Sequence, residues 1–448
     1  MCTGKESIDR YSRLVSLYVI IVLSMLTITI IQAQDENVNY TDQPSDTWKL
    51  HYPIILDSEN KGSYNRMLSS YPIGVFWQGD SPVVAMLWHP KESPELILWK
   101  EIGHRKWIKY STIRSVGYPK VFAIDTHTIG VVTQIGKKSH GGYGKAIHFL
   151  RIRDGIARDT IMLAPSPDAG QRITVSAVES SGESIFVFLL HEFSGGKLNQ
   201  LLFASSHDGG ETWTETKCVG NTNMGEDFSY MQGFCFDSLH VVRFLCEPVN
   251  NYLHTTLDGG ISWSKSLFTP NDDLMNTRRL PLGRTLLADS VGIVYALQNP
   301  TNRKEVRYYF TQSKDKATTW SKGVPIIPYI KASDPALSIR VAKSGNHFAF
   351  SYMETIGSWS KGEIVNHIVI SKDNGETWAD EPISDFYTGD VLFSGVGGAP
   401  DGSRILLNSV IRVIENDKER FYYTVQEYSP RNLDTFDESE IKSPIKKQ

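Results

Sequence analysis

Several side chains in this sequence are suited to moving a proton beside a bound carboxylate. His140, His191 and Tyr230 can act as acid or base near neutral pH when their surroundings tune them. Arg172, Arg279 and Arg340 carry planar forks that grip a carboxylate through paired hydrogen bonds. Tyr143 lies with His140 in the run Gly136 to Gly144, where Lys137, Lys138 and several glycines permit close approach of a ligand. A neutralised carboxylate, a base and an acid are the parts that β-elimination next to a carboxylate requires. These residues run from position 140 to position 340, so only tertiary structure can assemble them. Each also has a plain reading. A loop histidine is usually solvated, Arg172 and Arg279 could pair with Glu226, Asp227 or other acids, and Lys137-Lys138 reads as a wetted loop.

The composition sets outer bounds. With 448 residues, 40% of them apolar and 11% aromatic, the chain can bury a large core, which excludes a disordered or fibrous protein. Its 46 basic and 50 acidic residues leave a net charge of −4 and no basic block, so no nucleic-acid partner is expected. Leu14 to Ile31 is an uncharged apolar run after Lys5, Arg10 and Arg13, and Ala33 could mark a cut. Residues 1–33 therefore read as a signal peptide or signal anchor, followed by a linker over 34–50. Either reading places the body outside the cytoplasm: secreted, periplasmic or at the cell surface. Any membrane contact is expected only through that segment. Cys218, Cys235 and Cys246 would remain after cleavage, open to one disulfide, a zinc site or simple burial. Asn39-Tyr40-Thr41 is a glycosylation sequon.

An internal repeat sets the architecture. Four segments align without gaps: Ser206 to Trp213 (SHDGGETW), Thr256 to Trp263 (TLDGGISW), Ser313 to Trp320 (SKDKATTW) and Ser371 to Trp378 (SKDNGETW). The shared pattern is S/T-x-D-x-G-x-T/S-W, with Ala317 in place of glycine in the third copy. An aspartate that accepts backbone N–H groups, a glycine at positive φ and a tucked tryptophan suit a tight hairpin. The repeat resembles the Asp box of the bacterial-neuraminidase repeat, found in sialidases and related β-propellers. That resemblance implies an all-β propeller whose boxes join the third and fourth strands of each blade, away from the active face. Asp208, Asp258, Asp315 and Asp373 are then structural. The box aspartates stand 50, 57 and 58 residues apart, and stepping back at that interval reaches Arg153-Asp154-Gly155 and Gly103 to Trp107. Three strand-like runs follow Trp378 and one, around residues 51–57, precedes the first blade. Sharing a sheet would spare all of them an open edge, giving seven blades over 51–430 and a polar tail over 431–448; six blades is the alternative.

The resemblance also says what is missing. Sialidases of this kind use an early R-I-P arginine and a late tyrosine nucleophile. Here the first blade reads Tyr71-Pro72-Ile73-Gly74, the R-x-P triplet Arg279-Leu280-Pro281 falls in the fifth, and Phe393 stands where the tyrosine is expected. Propeller lyases acting on ulvan-type polysaccharides resemble the chain in architecture and use His, Tyr and Arg. In a propeller, the loops between second and third strands share one face with the connections between blades. On that topology His140, His191 and Tyr230 are expected as acid–base groups and Arg172 and Arg279 as carboxylate holders, with Tyr143, Arg340 and Glu354 nearby. His127 falls on the opposite face, and His148 and His367 read as packing residues. The expectation is a monomeric carbohydrate-active enzyme on an acidic oligo- or polysaccharide, elimination ahead of hydrolysis, with no cofactor and with structural zinc or calcium left open. A sialidase-like glycosidase and a non-catalytic glycan- or protein-binding propeller are the alternatives.

Overall fold

Apolar runs such as Ser184–Phe193 (SIFVFLLHEF) become strands buried on both faces, because each sheet is clamped between two others. Ile185, Val187 and Leu189 join one core cluster, while Phe186 and Phe188 point the other way into the next. The computed structural model describes most of residues 49–430. Outside the described residues lie 1–48, 51–53, 60–70, 89–93, 136–145, 194–198, 223–232, 247–250, 271–278, 332–339, 357–362, 383–389, 431–448 and some isolated single residues and pairs. The N-terminal apolar run, the sequon, the C-terminal tail, His140, Tyr143 and Tyr230 all fall among these.

Seven antiparallel sheets stand in a ring as a seven-bladed β-propeller, with no helix among the described residues. The innermost strands, in blade order, are Tyr71–Gln78, Val116–Ala123, Gln171–Ser181, Gly233–Cys235, Arg279–Leu287, Arg340–Ser344 and Asp390–Gly398. Each blade then runs outward in chain order. In blade 5 the outermost position is shared by Val324–Pro325 and Ile330–Lys331. Blade 7 takes its outermost strand from the other end of the chain: Ile54–Glu59 pairs with Lys418–Ser429, Ile54 opposite Val425 and Ile55 opposite Thr424. The six-blade alternative therefore falls. A strand left over at each end would expose two edges, and pairing them removes both.

A cluster of buried apolar side chains fills every seam between neighbouring blades. The seam between blades 7 and 1 carries charge as well. Arg404 lies 2.5 Å from Glu101 and 3.2 Å from Glu427, all three nearly inaccessible, with its guanidinium 5.2 Å from the Trp77 ring. Burial alone would lower the Arg404 pKa, but the bonds and charges of the two carboxylates outweigh it and raise it.

The four repeated turns each join the third and fourth strands of blades 3 to 6. In blade 3, Ser206 Oγ donates to Asp208 at 2.8 Å and accepts from Gly210 N at 2.8 Å. Asp208 accepts from Thr212 N at 2.9 Å, and Trp213 Nε1 donates to the Gly210 carbonyl at 3.1 Å. Blades 4 and 6 repeat the whole pattern, and blade 5 repeats its aspartate core. Bonds from hydroxyl and amide groups outweigh desolvation and hold the Asp208 carboxyl down to about 2. The glycine is dictated by its neighbour. A Cβ on Gly260 (φ 93°) would stand 2.2 Å from Phe203 Cε1 of blade 3, and Gly210 and Gly375 face Phe149 and Phe310 at 2.1 and 2.2 Å. Ala317 adopts φ 67° in the same place, and there the preceding blade offers Leu253 instead of phenylalanine. The departure from the repeat is thus matched by a smaller neighbour.

Candidate active site at the funnel end

The ring has two chemically distinct ends. The repeated turns, the Arg153–Ile156 hairpin and the turns between first and second strands lie at one end. His127 is there, its N–H donating to Asp125 in a turn, as the topology predicts. At the opposite end the innermost strands begin and the second strands finish. This is the funnel end, where a ligand can meet several blades at once.

Blade 3 shows how polar side chains are set at this end. Gln171 and Arg172 open the first strand, and His191, Glu192 and Phe193 close the second. Antiparallel register sets Arg172 opposite Glu192 and His191 opposite Ile173. His191 Nε2 lies 2.7 Å from Gln171 Oε1, and its ring centroid is 4.2 Å from that of Phe193. If Nε2 carries the proton for that bond, Nδ1 keeps a lone pair. Burial lowers the His191 pKa, partly offset by the Asp168 carboxylate, so the ring stays neutral at pH 7. The Arg172 guanidinium approaches Glu192 at 3.8 Å, both side chains about four-fifths covered.

Arg172 and His191 project from opposite faces of blade 3. His191 shares the face of Val187 and Leu189, turned to blade 2, whereas Glu192 shares that of Phe186 and Phe188, turned to blade 4. They can meet one ligand only across the strand ends. Arg279 and Arg340 are the first residues of the innermost strands of blades 5 and 6, so three innermost strands open on or next to arginine at this end. Glu354 lies on the second strand of blade 6. His140 and Tyr143 belong to the connection between the second and third strands of blade 2, and Tyr230 to the connection entering blade 4.

Gln171 and Asp168 were not singled out from the sequence. Counting outward from the Gly182-Glu183 turn would set His191 opposite Thr174, but a bulge between Val175 and Ala177 moves it to Ile173. Comparable irregularities interrupt the innermost strands of blades 1, 2, 5 and 7. Bulges at a rim re-aim side chains, and no residue type marks them. His367 stacks on Tyr352 with 4.6 Å between centroids, in keeping with a packing role. The Cys235 thiol is buried and donates to the Asp237 carbonyl, while that of exposed Cys218 donates to Gly220. Among the described residues, no three His, Cys, Asp or Glu side chains converge as metal ligands.

No protein-family model matches the chain, and no curated protein sequence matches it. Solved structures do. The polysaccharide lyase Uly1 superposes with a TM-score of 0.50 at 10% identity, over 81% of this chain and 90% of that one. An ulvan lyase of polysaccharide lyase family PL25 gives 0.44 at 12% identity, over 84% and 96%. A Trypanosoma rangeli sialidase gives 0.40 at 11% identity, over 81% and 59%. The structural neighbours are thus sialidase-like and polysaccharide-lyase β-propellers. At such identities the likeness is one of fold, and a propeller hosts many chemistries.

Proposed function

We propose that the chain is a carbohydrate-active enzyme that binds an acidic oligo- or polysaccharide at the funnel end and cleaves it by β-elimination. The observation that carries this reading is positional: Arg172, Arg279 and Arg340 stand at the entry of three of the seven innermost strands, all at one end of the propeller. An arginine that neutralises a uronate carboxylate acidifies the C5 proton. A neutral imidazole can take that proton, and His191, half-buried and held by Gln171, has that form. A phenol or second imidazole then protonates the leaving oxygen; Tyr230 and His140 are assigned to that step. Arg172 and Arg279 hold the carboxylate, and Arg340 and Tyr143 line the sugar.

The sialidase reading is weaker because Phe393, on the innermost strand of blade 7, has no hydroxyl to act as nucleophile. The test is incubation with a panel of acidic polysaccharides, following the ultraviolet absorbance of an unsaturated uronate together with new reducing ends. Elimination raises both, hydrolysis only the second. Tyr230→Phe should keep the fold and lower kcat by at least about 100-fold, the scale of a positioned proton donor. Wild-type turnover in that variant would remove Tyr230 from the site, and a panel without cleavage would leave the glycan-binding propeller as the better reading.

A further inference from the structure

A second recess lies away from the funnel, on the outer flank between blades 2 and 3. It measures about 500 Å³ and is walled by Ile161, Met162 and Leu163 of the outermost strand of blade 2 and by Glu211 and Trp213 to Thr216 of blade 3. The two walls are tied together where Thr216 Oγ1 donates to the Leu163 carbonyl at 2.8 Å. Trp213 lines it. The ring packs 5.0 Å from Phe149, and its N–H is used on the Gly210 carbonyl, so what the recess receives from it is aromatic carbon. In blade 6 the equivalent Trp378 is 1% exposed; Trp213 is only partly covered.

Polar groups border this apolar lining. Glu215 and Thr214 are exposed along it, and Glu211 bonds Arg151 at 3.1 Å. The ionisable groups of the lining are thus carboxylates, one of them already paired with an arginine. Such a wall repels the uronate proposed for the funnel. It offers hydrogen-bond acceptors to hydroxyl groups, while Trp213 and Met162 offer apolar surface to the C–H face of a sugar ring. The volume lies within the ~300–1,000 Å³ usual for small-ligand sites.

We infer that this flank recess is a second, non-catalytic carbohydrate site that takes uncharged sugar residues, with Trp213 as its apolar platform and Glu215 and Thr214 as its hydrogen-bonding edge. It does not rest on the funnel chemistry. On a polysaccharide that alternates acidic and neutral units, it would hold the chain while the funnel works on it.

The full-length protein should be titrated with cellohexaose, xylohexaose and mannohexaose, followed by ligand-observed saturation-transfer NMR and tryptophan fluorescence. At least one should bind with a Kd of about 0.1–1 mM, the range expected of a shallow site of few contacts. Met162→Arg, which fills the recess from an exposed position, and Glu215→Gln, which keeps shape but weakens an acceptor, should each reduce affinity at least about fivefold. Both should leave the unfolding midpoint unchanged. Arg279→Ala, which removes a carboxylate holder from the funnel, should bind these sugars as the parent does, which separates this site from the funnel. The inference is overturned if none of the three sugars binds, if Met162→Arg binds as tightly as the parent, or if a tetralysine peptide competes for the recess and binds more tightly than any sugar.

Discussion

Replacing Gly260 by alanine tests how the repeated turns are locked to their neighbours. The new Cβ would stand 2.2 Å from Cε1 and 2.5 Å from Cζ of Phe203, which itself packs 5.2 Å from Phe188 and from Trp263 and cannot swing away freely. Two costs add. A left-handed φ of 93° costs an L-residue about 1–2 kcal/mol, and forcing a methyl into a filled core costs about 1–3 kcal/mol. The expected loss is therefore about 2–5 kcal/mol, read as a fall in the denaturant midpoint at unchanged slope. Phe203→Leu alone should cost about 1–2 kcal/mol through lost ring packing. The double variant reproduces the leucine–alanine combination that Leu253 and Ala317 bring to the equivalent positions of blades 4 and 5, and should be less damaged than the sum of the singles by about 1–3 kcal/mol. A Gly260→Ala protein within about 0.5 kcal/mol of the parent, or strict additivity in the cycle, would refute the idea that neighbour size dictates the glycine.

Three other outcomes follow from the same structure. Asp373→Ala removes the acceptor of Ser371, Glu376 and Thr377 at the end away from the funnel, so it should cost about 1–3 kcal/mol while turnover per folded molecule stays at the parent's value. Arg404→Met strands two buried carboxylates at the seam that closes the ring and should cost about 3–5 kcal/mol; removing the exposed Arg114–Glu95 pair should cost at most about 1 kcal/mol in the same unfolding assay. Burial lowers the pKa of His148, His191, His240 and His347 in the fold, so the unfolded chain binds their protons at higher pH. Stability from these groups is complete above about pH 6.5 and is lost as pH falls through their folded values; a midpoint at pH 5.5 equal to or above that at pH 7.5 would contradict this.

Much of the fold was legible because it is written locally and repeatedly. The S/T-x-D-x-G-x-T/S-W pattern encodes its own turn, since hydroxyl, carboxylate and indole bond within eight residues, and its spacing meters out the blades. The strand that closes blade 7 was foreseeable from the cost of leaving edges open: Lys49–Leu50 and Ile54–Glu59 both pair with Lys418–Ser429. The ends of strands could also be placed: Arg172, Arg279 and Arg340 lie where innermost strands begin and His191 where a second strand finishes. Their partners could not be read. Gln171 meets His191, and Arg172 meets Glu192, through a bulge that shifts register by one position and so decides which blade each side chain faces. Likewise Ala317 departs from its repeat where Leu253, 64 residues earlier and in the same core cluster, stands at the position that phenylalanine fills in the other blades. Local sequence determines turns and strands because their hydrogen bonds close within a few residues. Which side chains face one another across a seam is decided by packing between segments far apart in the chain, and only the folded ring brings those together.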